Sequence, residues 1–197
     1  MARSCYRGAV ARSHGSGAFT PGDLAPALAD TAVAVLGLLY CAWFLGHMIL
    51  LRSFPRGEFL VLFAFFVTYM TDSGAYYAGV LMGRRLLAPR VSPKKTVEGA
   101  IGGFVAGLFA ALVGRGWFLP QLTVRDALVA GALMAVAGQL GDLVESLFKR
   151  SAGVKDSGGL IPSHGGLLDK VDSLMFTAPS FYYYLVWVQH YGQVSVI

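Results

Sequence analysis

Two pairs of acidic residues are the first candidates for chemistry in this sequence. Asp142 and Glu145 lie in GQLGDLVESLFKR, and Asp169 and Asp172 lie in GGLLDKVDS. Residues spaced three apart share one face of a helix. Clustered carboxylates without a cysteine or histidine cluster suit a hard divalent ion, most simply Mg²⁺, which also binds phosphate oxygens. The pairs therefore predict a magnesium site, with room for a second metal ion about 4 Å away.

Each acidic pair also has a purely structural interpretation. Glu145 lies four residues before Lys149, so an interfacial salt bridge would explain Glu145 but not the deeper Asp142. Asp169 and Asp172 stand where a helix should begin, and the helix dipole favours acidic residues there. We favour the metal site because both pairs are expected at the same membrane face.

A basic stretch, RRLLAPRVSPKKTVEGA, is the second candidate. Ser92, Lys94, Lys95 and Thr96 precede an apolar helix, whose free backbone N–H groups would add to an anion site. Anchoring of positive charge at the membrane surface is the alternative. It explains the charge but not its position at a helix start.

Asp72 and His164 are single polar residues in unusual places. Asp72 lies deep in an apolar stretch, in TYMTDSGAYYAG, where an ionisable group is costly. It either lines a polar cavity or caps a broken helix. His164 is followed by Gly165 and Gly166, which permit close backbone approach to a ligand, although a lone histidine is often an ordinary loop residue.

The elements that must position these residues are membrane helices. The chain has 197 residues, of which 55% are hydrophobic and only 14% charged, whereas soluble domains are about a quarter charged. A bilayer core needs about 20 apolar residues as helix. Four stretches satisfy this and a fifth is short; they cover residues 28–51, 59–81, 97–119, 127–148 and 174–190. We therefore predict an all-α, polytopic integral membrane helical bundle with about five transmembrane helices over residues 27–197, after a polar, poorly ordered segment 1–26.

Charge distribution predicts the orientation of this bundle. Twelve of the sixteen Lys and Arg residues fall in the N-terminal segment and in the two loops that carry the candidate residues. The positive-inside rule makes that side cytoplasmic. The net charge of +5 is then explained by topology, anionic lipid or an anionic substrate, and not by nucleic acid.

Gly99, Gly103 and Gly107 form a doubled G-x-x-x-G pattern on one face of the third stretch. This pattern is typical of close helix packing, either within one chain or across a homodimer.

The segment SLFKRSAGVKDSGGLIPSHGGLLDKVD, from Ser146 to Asp172, closely resembles the signature of the phosphatidate cytidylyltransferase family. That signature reads Ser-x-x-Lys-Arg, four residues, Lys-Asp, and a stretch ending His-Gly-Gly-x-x-Asp-Arg-x-Asp. The blocks TDSGAYYAG, SPKKTVEGAIGG and GDLVES also resemble the family, in the same order. The resemblance covers about Leu28 to the C-terminus.

The resemblance implies a membrane enzyme that joins CTP and phosphatidate to give CDP-diacylglycerol and pyrophosphate. It implies Mg²⁺ held by Asp142 and Asp169, with Glu145 and Asp172 beside them, and CTP phosphates held by Ser92, Lys94, Lys95 and Thr96. Lys149 and Arg150 would bind the lipid phosphate or the leaving pyrophosphate, and Asp72 would shape the cavity. The remaining residues expected to bind substrate are Ser146, Lys155, Asp156, His164, Gly165, Gly166 and Lys170. In a bacterium the location would be the inner membrane, with the active site facing the cytoplasm.

Two departures accompany this resemblance. The family usually has Arg where this chain has Lys170, which replaces a bidentate fork by a point charge. Family members are also generally longer, with additional membrane helices before the region that matches Leu28. The alternatives are a CTP-dependent lipid kinase, a cytidylyltransferase for another lipid phosphate, or an inactive truncated homologue. A transporter is disfavoured because the sequence has no convincing internal repeat.

Overall fold

The protein is described by a computed structural model that covers residues 21–151, 153 and 168–188. Within these residues the chain forms five helices and one short hairpin. The helices are α1 (Pro21–Ser53), α2 (Gly57–Met82), α3 (Val97–Trp117), α4 (Val124–Ser151) and α5 (Leu168–Trp187). In the described part, α1 to α4 are long and apolar enough to cross a membrane. The predicted helical membrane bundle is thereby confirmed.

The chain divides into two compact units, residues 1–38 and 39–197. The described part of the first unit is the N-terminal portion of α1, where Thr31 Oγ1 donates a hydrogen bond of 2.8 Å to the Ala27 carbonyl. Because α1 begins at Pro21, it includes residues 21–26, which the sequence analysis expected to be poorly ordered. A proline is well suited to the first turn of a helix, since its missing N–H has no partner there in any case.

The second unit contains the rest of α1 and all other elements. Its core is formed mainly by α2, α4 and α5, where Phe63 and Phe181 meet with ring centroids 5.3 Å apart. Leu60, Val67 and Met134 complete the fully buried centre. Large apolar residues also lie on the outside, as expected where lipid and not water surrounds a helix. On α3 these include Ile101, Val105 and Phe109.

The opposite face of α3 is the glycine face predicted to pack closely. Gly99, Gly103 and Gly107 are buried against α2 and α4. A β-carbon at Gly103 would lie 2.8 Å from the carbonyl oxygen of Thr71, so only glycine permits this approach. The glycine face is therefore used within the chain and gives no support to a homodimer.

The basic stretch between α2 and α3 is a hairpin, and not the simple loop that the sequence analysis expected. Strand β1 (Leu86–Ala88) pairs antiparallel with β2 (Ser92–Thr96), with Leu86 opposite Thr96. The pairing continues beyond the strands, where Val97 N donates to the Arg85 carbonyl over 2.8 Å. Pro93 lies in a two-stranded ribbon, where a missing N–H is tolerated. The hairpin fixes the direction of the lysines that follow Pro93.

The hairpin and the C-terminal part of α4 lie at the same end of the second unit. Lys95 of the hairpin reaches Asp142 near the end of α4, and Arg150 Nε donates to the Val91 carbonyl over 3.3 Å. Helix α2 ends and α3 begins at this hairpin.

Candidate active site

A cavity of about 550 Å³ lies between the hairpin and helices α2, α3 and α4. Its polar lining includes all four residues predicted from the basic stretch and two of the predicted acids. These are Asp72, Ser92, Lys94, Lys95, Thr96 and Asp142. Three motifs that are separate in the sequence therefore line the same cavity.

Three carboxylates form a cluster beside this cavity. Asp142, Glu145 and Asp172 each offer an oxygen, and these oxygens lie within 4.8 Å of one another. Asp142 and Glu145 share a face of α4, and Asp172 comes from the first turns of α5. Glu145 is completely buried. Three of the four predicted metal ligands are thus brought together.

Two lysines partly neutralise the cluster. Lys95 Nζ lies 2.5 Å from Asp142 Oδ2, and Lys149 Nζ lies 2.5 Å from Glu145 Oε2. The predicted salt bridge between Glu145 and Lys149 is therefore present. It does not replace the metal-site interpretation, because the same Glu145 also belongs to the carboxylate cluster.

Asp72 joins the cluster through a residue that the sequence analysis missed, Ser173. Ser173 Oγ donates to Asp72 Oδ1 over 3.3 Å, and Ser173 N donates to Asp172 Oδ1 over 2.7 Å. The helix α2 continues without interruption past Asp72, so the interpretation of Asp72 as the cap of a broken helix is wrong. The position of Ser173, directly after an acidic pair at a helix start, was the available signal.

The charges of this region fit a divalent cation. Among the described residues, four carboxylates (Asp72, Asp142, Glu145 and Asp172) meet two lysines (Lys95 and Lys149). Fully ionised, the group carries a formal charge of −2. Carboxylate oxygens at such separation repel one another, and a hard divalent cation would relieve the repulsion while using oxygen ligands alone.

The start of α3 is already partly occupied by the chain itself. Thr96 Oγ1 accepts a hydrogen bond of 3.1 Å from Gly99 N and so caps the helix. Glu98 accepts from the backbone N–H groups of Arg84 and Arg85 over 3.0 and 3.1 Å, which ties the hairpin to the helix. Thr96 therefore has a structural role besides the predicted role in anion binding.

Several predicted residues are not brought to the cavity or lie outside the described part. Ser146 is half-buried on α4 and is not part of the cavity lining, and Arg150 is exposed. Asp169 and Lys170 belong to the first turn of α5, but their side chains are not described. The predicted residues outside the described part are Lys155, Asp156, His164, Gly165 and Gly166.

Two further residues near the site escaped the sequence analysis. Gln139 lines the cavity and donates from Nε2 to the Ala100 carbonyl over 3.2 Å. It lies three residues before Asp142 on the same helical face, which was a usable signal. Tyr40 of α1 packs against aromatic rings that lie one helical turn beyond the clustered acids of α4 and α5, and nothing in its apolar surroundings in the sequence pointed to it.

Comparison with known proteins agrees with this arrangement. A family model described as the cytidylyltransferase family matches residues 19–188. The chain belongs to the cytidylyltransferase family. The match includes every described element that contributes to the cavity and to the carboxylate cluster.

Curated relatives place the chain more closely within the cytidylyltransferase family. The phosphatidate cytidylyltransferase of Staphylococcus saprophyticus is 43% identical over 150 residues, covering 76% of this chain and 57% of that protein. The phosphatidate cytidylyltransferase of Synechocystis is 38% identical over 188 residues, covering 81% and 63%. The uncharacterised protein YnbB of Escherichia coli is 44% identical over 153 residues, covering 78% and 50%. The chain thus spans about half to two thirds of the length of these relatives.

Proposed function

We propose that this membrane protein transfers CMP from CTP to phosphatidate and releases pyrophosphate. The observation that carries the proposal is the carboxylate cluster of Asp142, Glu145 and Asp172 beside a cavity whose other wall is a lysine-bearing hairpin. Carboxylates that can bind a cation, and lysines and hydroxyl groups that can bind an anion, meet at one cavity, which suits a reaction between two phosphate-bearing substrates. Relatives named phosphatidate cytidylyltransferase support the choice of substrates.

The triphosphate of CTP would lie under the hairpin. Ser92, Lys94 and Lys95 line the cavity there, and hydroxyl and ammonium groups donate well to phosphate oxygens. Lys95 is held towards the cluster by its ion pair with Asp142. It is thereby positioned to touch the phosphate group nearest to the metal ligands.

The metal would be Mg²⁺, held by Asp142, Glu145 and Asp172, with Asp169 as a further ligand from the first turn of α5. When bound, it would neutralise charge on the phosphate oxygens. A second ion in the same cluster is part of this proposal, since Asp72 adds a fourth carboxylate to the described group. Ser173 orients both Asp72 and Asp172 through its two hydrogen bonds.

The reaction itself needs little proton transfer from the protein. An oxygen of the phosphatidate phosphate attacks the α-phosphorus of CTP, and the bond from that phosphorus to the bridging oxygen of the β-phosphate breaks. Pyrophosphate leaves with the electron pair, and phosphatidate is already ionised near neutral pH. Lys149 and Arg150, with Lys170, would hold the lipid phosphate or the leaving pyrophosphate. Positioning and charge neutralisation supply the acceleration.

The site would face the cytoplasm, where CTP is available. This part of the proposal rests on the excess of Lys and Arg at the cavity end of the helices. Among the described residues, the other end has Arg52, Arg56, Arg115 and Arg125.

The test is an assay of purified protein in detergent with CTP, phosphatidate and Mg²⁺. Pyrophosphate release should depend on both substrates, and mass spectrometry should find a CDP-lipid. A phosphorylated lipid with release of CDP would instead identify a CTP-dependent lipid kinase. Absence of both products, in protein whose thermal unfolding is cooperative, would refute the proposed activity of this chain.

A further inference from the structure

Tyr40 of α1 has a buried hydroxyl group without a hydrogen-bond partner among the described residues. The residue is only 6% exposed. Burying a hydroxyl without a partner costs free energy, so such groups are uncommon and require an explanation. Phenylalanine would fill the same space without that cost.

The ring of Tyr40 is held by other aromatic rings and does not depend on the hydroxyl. It meets Phe44 and Phe148 edge-to-face at 5.4 Å between centroids, and Phe176 at 6.2 Å. Phe148 lies three residues after Glu145 on α4, and Phe176 lies four residues after Asp172 on α5. The ring is therefore fixed one helical turn from two of the clustered carboxylates.

The hydroxyl lies within electrostatic range of all three clustered carboxylates. These carboxylates are Asp172, Glu145 and Asp142. One oxygen of Asp172, Oδ1, already accepts from Ser173 N over 2.7 Å. Among the described residues, the second oxygen of Asp172 has no hydrogen-bond donor, so it can accept from a neutral donor or bind a cation.

We propose that Tyr40 is a positioning residue of the metal site, which donates its hydroxyl hydrogen to the Asp172 carboxylate when the cluster holds a divalent cation. The inference rests on the proposed function, because it requires the cluster to bind a metal. Carboxylates that bind metals are commonly oriented by hydrogen bonds from neighbouring groups, and loss of such a bond weakens metal affinity by about 10- to 100-fold. Tyr40 thus acts through Asp172 and does not touch the substrate.

The decisive variant is Tyr40→Phe, which removes the hydroxyl and keeps the ring and its aromatic contacts. Mn²⁺ serves as the probe, and free Mn²⁺ is followed by electron paramagnetic resonance during titration of detergent-solubilised protein. The matched control is Tyr184→Phe, because Tyr184 is equally buried but its hydroxyl donates to Asp126 over 3.0 Å at the other end of α5. Thermal unfolding of both variants is measured in EDTA.

The two variants should give opposite results. Tyr40→Phe should bind Mn²⁺ about tenfold more weakly than the unmodified protein, while its melting temperature in EDTA is unchanged or higher. Its Mg²⁺ requirement for half-maximal activity should rise by a similar factor, with the rate at saturating Mg²⁺ within about twofold. Tyr184→Phe should lose thermal stability and keep its Mn²⁺ affinity.

Failure of this inference is distinguishable from failure of the proposed function. If the unmodified protein binds Mn²⁺ and makes CDP-lipid but Tyr40→Phe has the same affinity, the role of Tyr40 is refuted and the function stands. A lower melting temperature of Tyr40→Phe in EDTA with unchanged affinity would likewise show a purely structural tyrosine. If the unmodified protein binds no Mn²⁺, the metal site is refuted and the inference with it.

Discussion

Helices α4 and α5 pack against each other, and acidic residues toward the two ends of this helix pair have different surroundings. At one end Asp126 accepts hydrogen bonds from Thr123 N over 3.3 Å, from Thr123 Oγ1 over 2.6 Å and from Tyr184 over 3.0 Å. At the other end Asp142 lies close to two more carboxylates and pairs with Lys95. One carboxylate is thus surrounded by neutral donors, whereas the other belongs to a group of like charges.

The difference separates a structural acid from a functional one. The donors around Asp126 satisfy its oxygens within the protein, so this carboxylate needs nothing more to be stable. The cluster at the cavity end has more negative than positive charge among its described members, which is unfavourable for folding alone. Such an arrangement is explained when a cation and phosphate groups complete it.

Neutralising one acid at each end should produce the largest difference in activity between the two ends. Asp142→Asn should lower CDP-lipid formation by about 10²- to 10³-fold, because a metal ligand and the partner of Lys95 are lost together. Asp126→Asn, the same substitution at the other end of α4, should leave the rate within about twofold. Radiolabelled CTP incorporated into lipid measures both rates. Equal rates in the two variants would refute the distinction.

Removal of divalent metal should lower the stability of the protein through the carboxylate cluster at the cavity end alone. Mg²⁺ at about 100 times its dissociation constant should stabilise the folded protein by about 2.7 kcal/mol relative to EDTA. Thermal unfolding in detergent measures this difference. Asp142→Asn should abolish the stabilisation and Asp126→Asn should retain it, since only the first belongs to the carboxylate cluster. Retention of the full effect in Asp142→Asn would place the metal elsewhere.

The ion pair between Lys95 and Asp142 should affect the KM for CTP, whereas an exposed ion pair on the other side of the protein should not. Lys95→Met should raise the KM for CTP by about 10- to 100-fold, because a half-buried lysine near the metal ligands would bind phosphate. Arg52→Met removes an exposed ion pair with Glu58, 3.1 Å long, on the other side. Exposed ion pairs contribute about 0–1 kcal/mol to stability, and this one lies away from the cavity, so the KM for CTP should not change. Steady-state kinetics with varied CTP would contradict the proposal if both variants matched the unmodified protein.

The cavity end was more predictable from sequence than the opposite end. Ionisable residues in apolar helices are rare enough to attract notice, which is why Asp72, Asp142 and Glu145 were identified at once. Their grouping followed from helical spacing and from the alternation of spans. Asp126 received no role, because an acid in the first turn of a helix is ordinary and its partner Tyr184 is 58 residues away.

The contributions that sequence missed depend on contacts between distant segments. Ser173 bonds to Asp72 across 101 residues, and Tyr40 meets Phe148 and Phe176 from a helix that is distant in sequence from both. The hairpin was missed because its two strands are short. In addition, β2 contains Pro93, and proline is disfavoured in most strands. Helical periodicity reports which residues share a face, but not which face of another helix lies opposite.

Loss of the hydrogen bond from Tyr184 to Asp126 should have a milder consequence, a modest decrease in stability. Tyr184→Phe removes the donor to Asp126 and leaves one carboxylate oxygen with fewer bonds in a buried position, so it should cost about 1–2 kcal/mol of stability. In a chain of this length, that corresponds to a decrease of a few degrees in melting temperature. CDP-lipid formation at a temperature well below unfolding should not change. A loss of activity without a loss of stability would mean that the two ends of α4 and α5 are coupled, and that Asp126 serves the reaction from a distance.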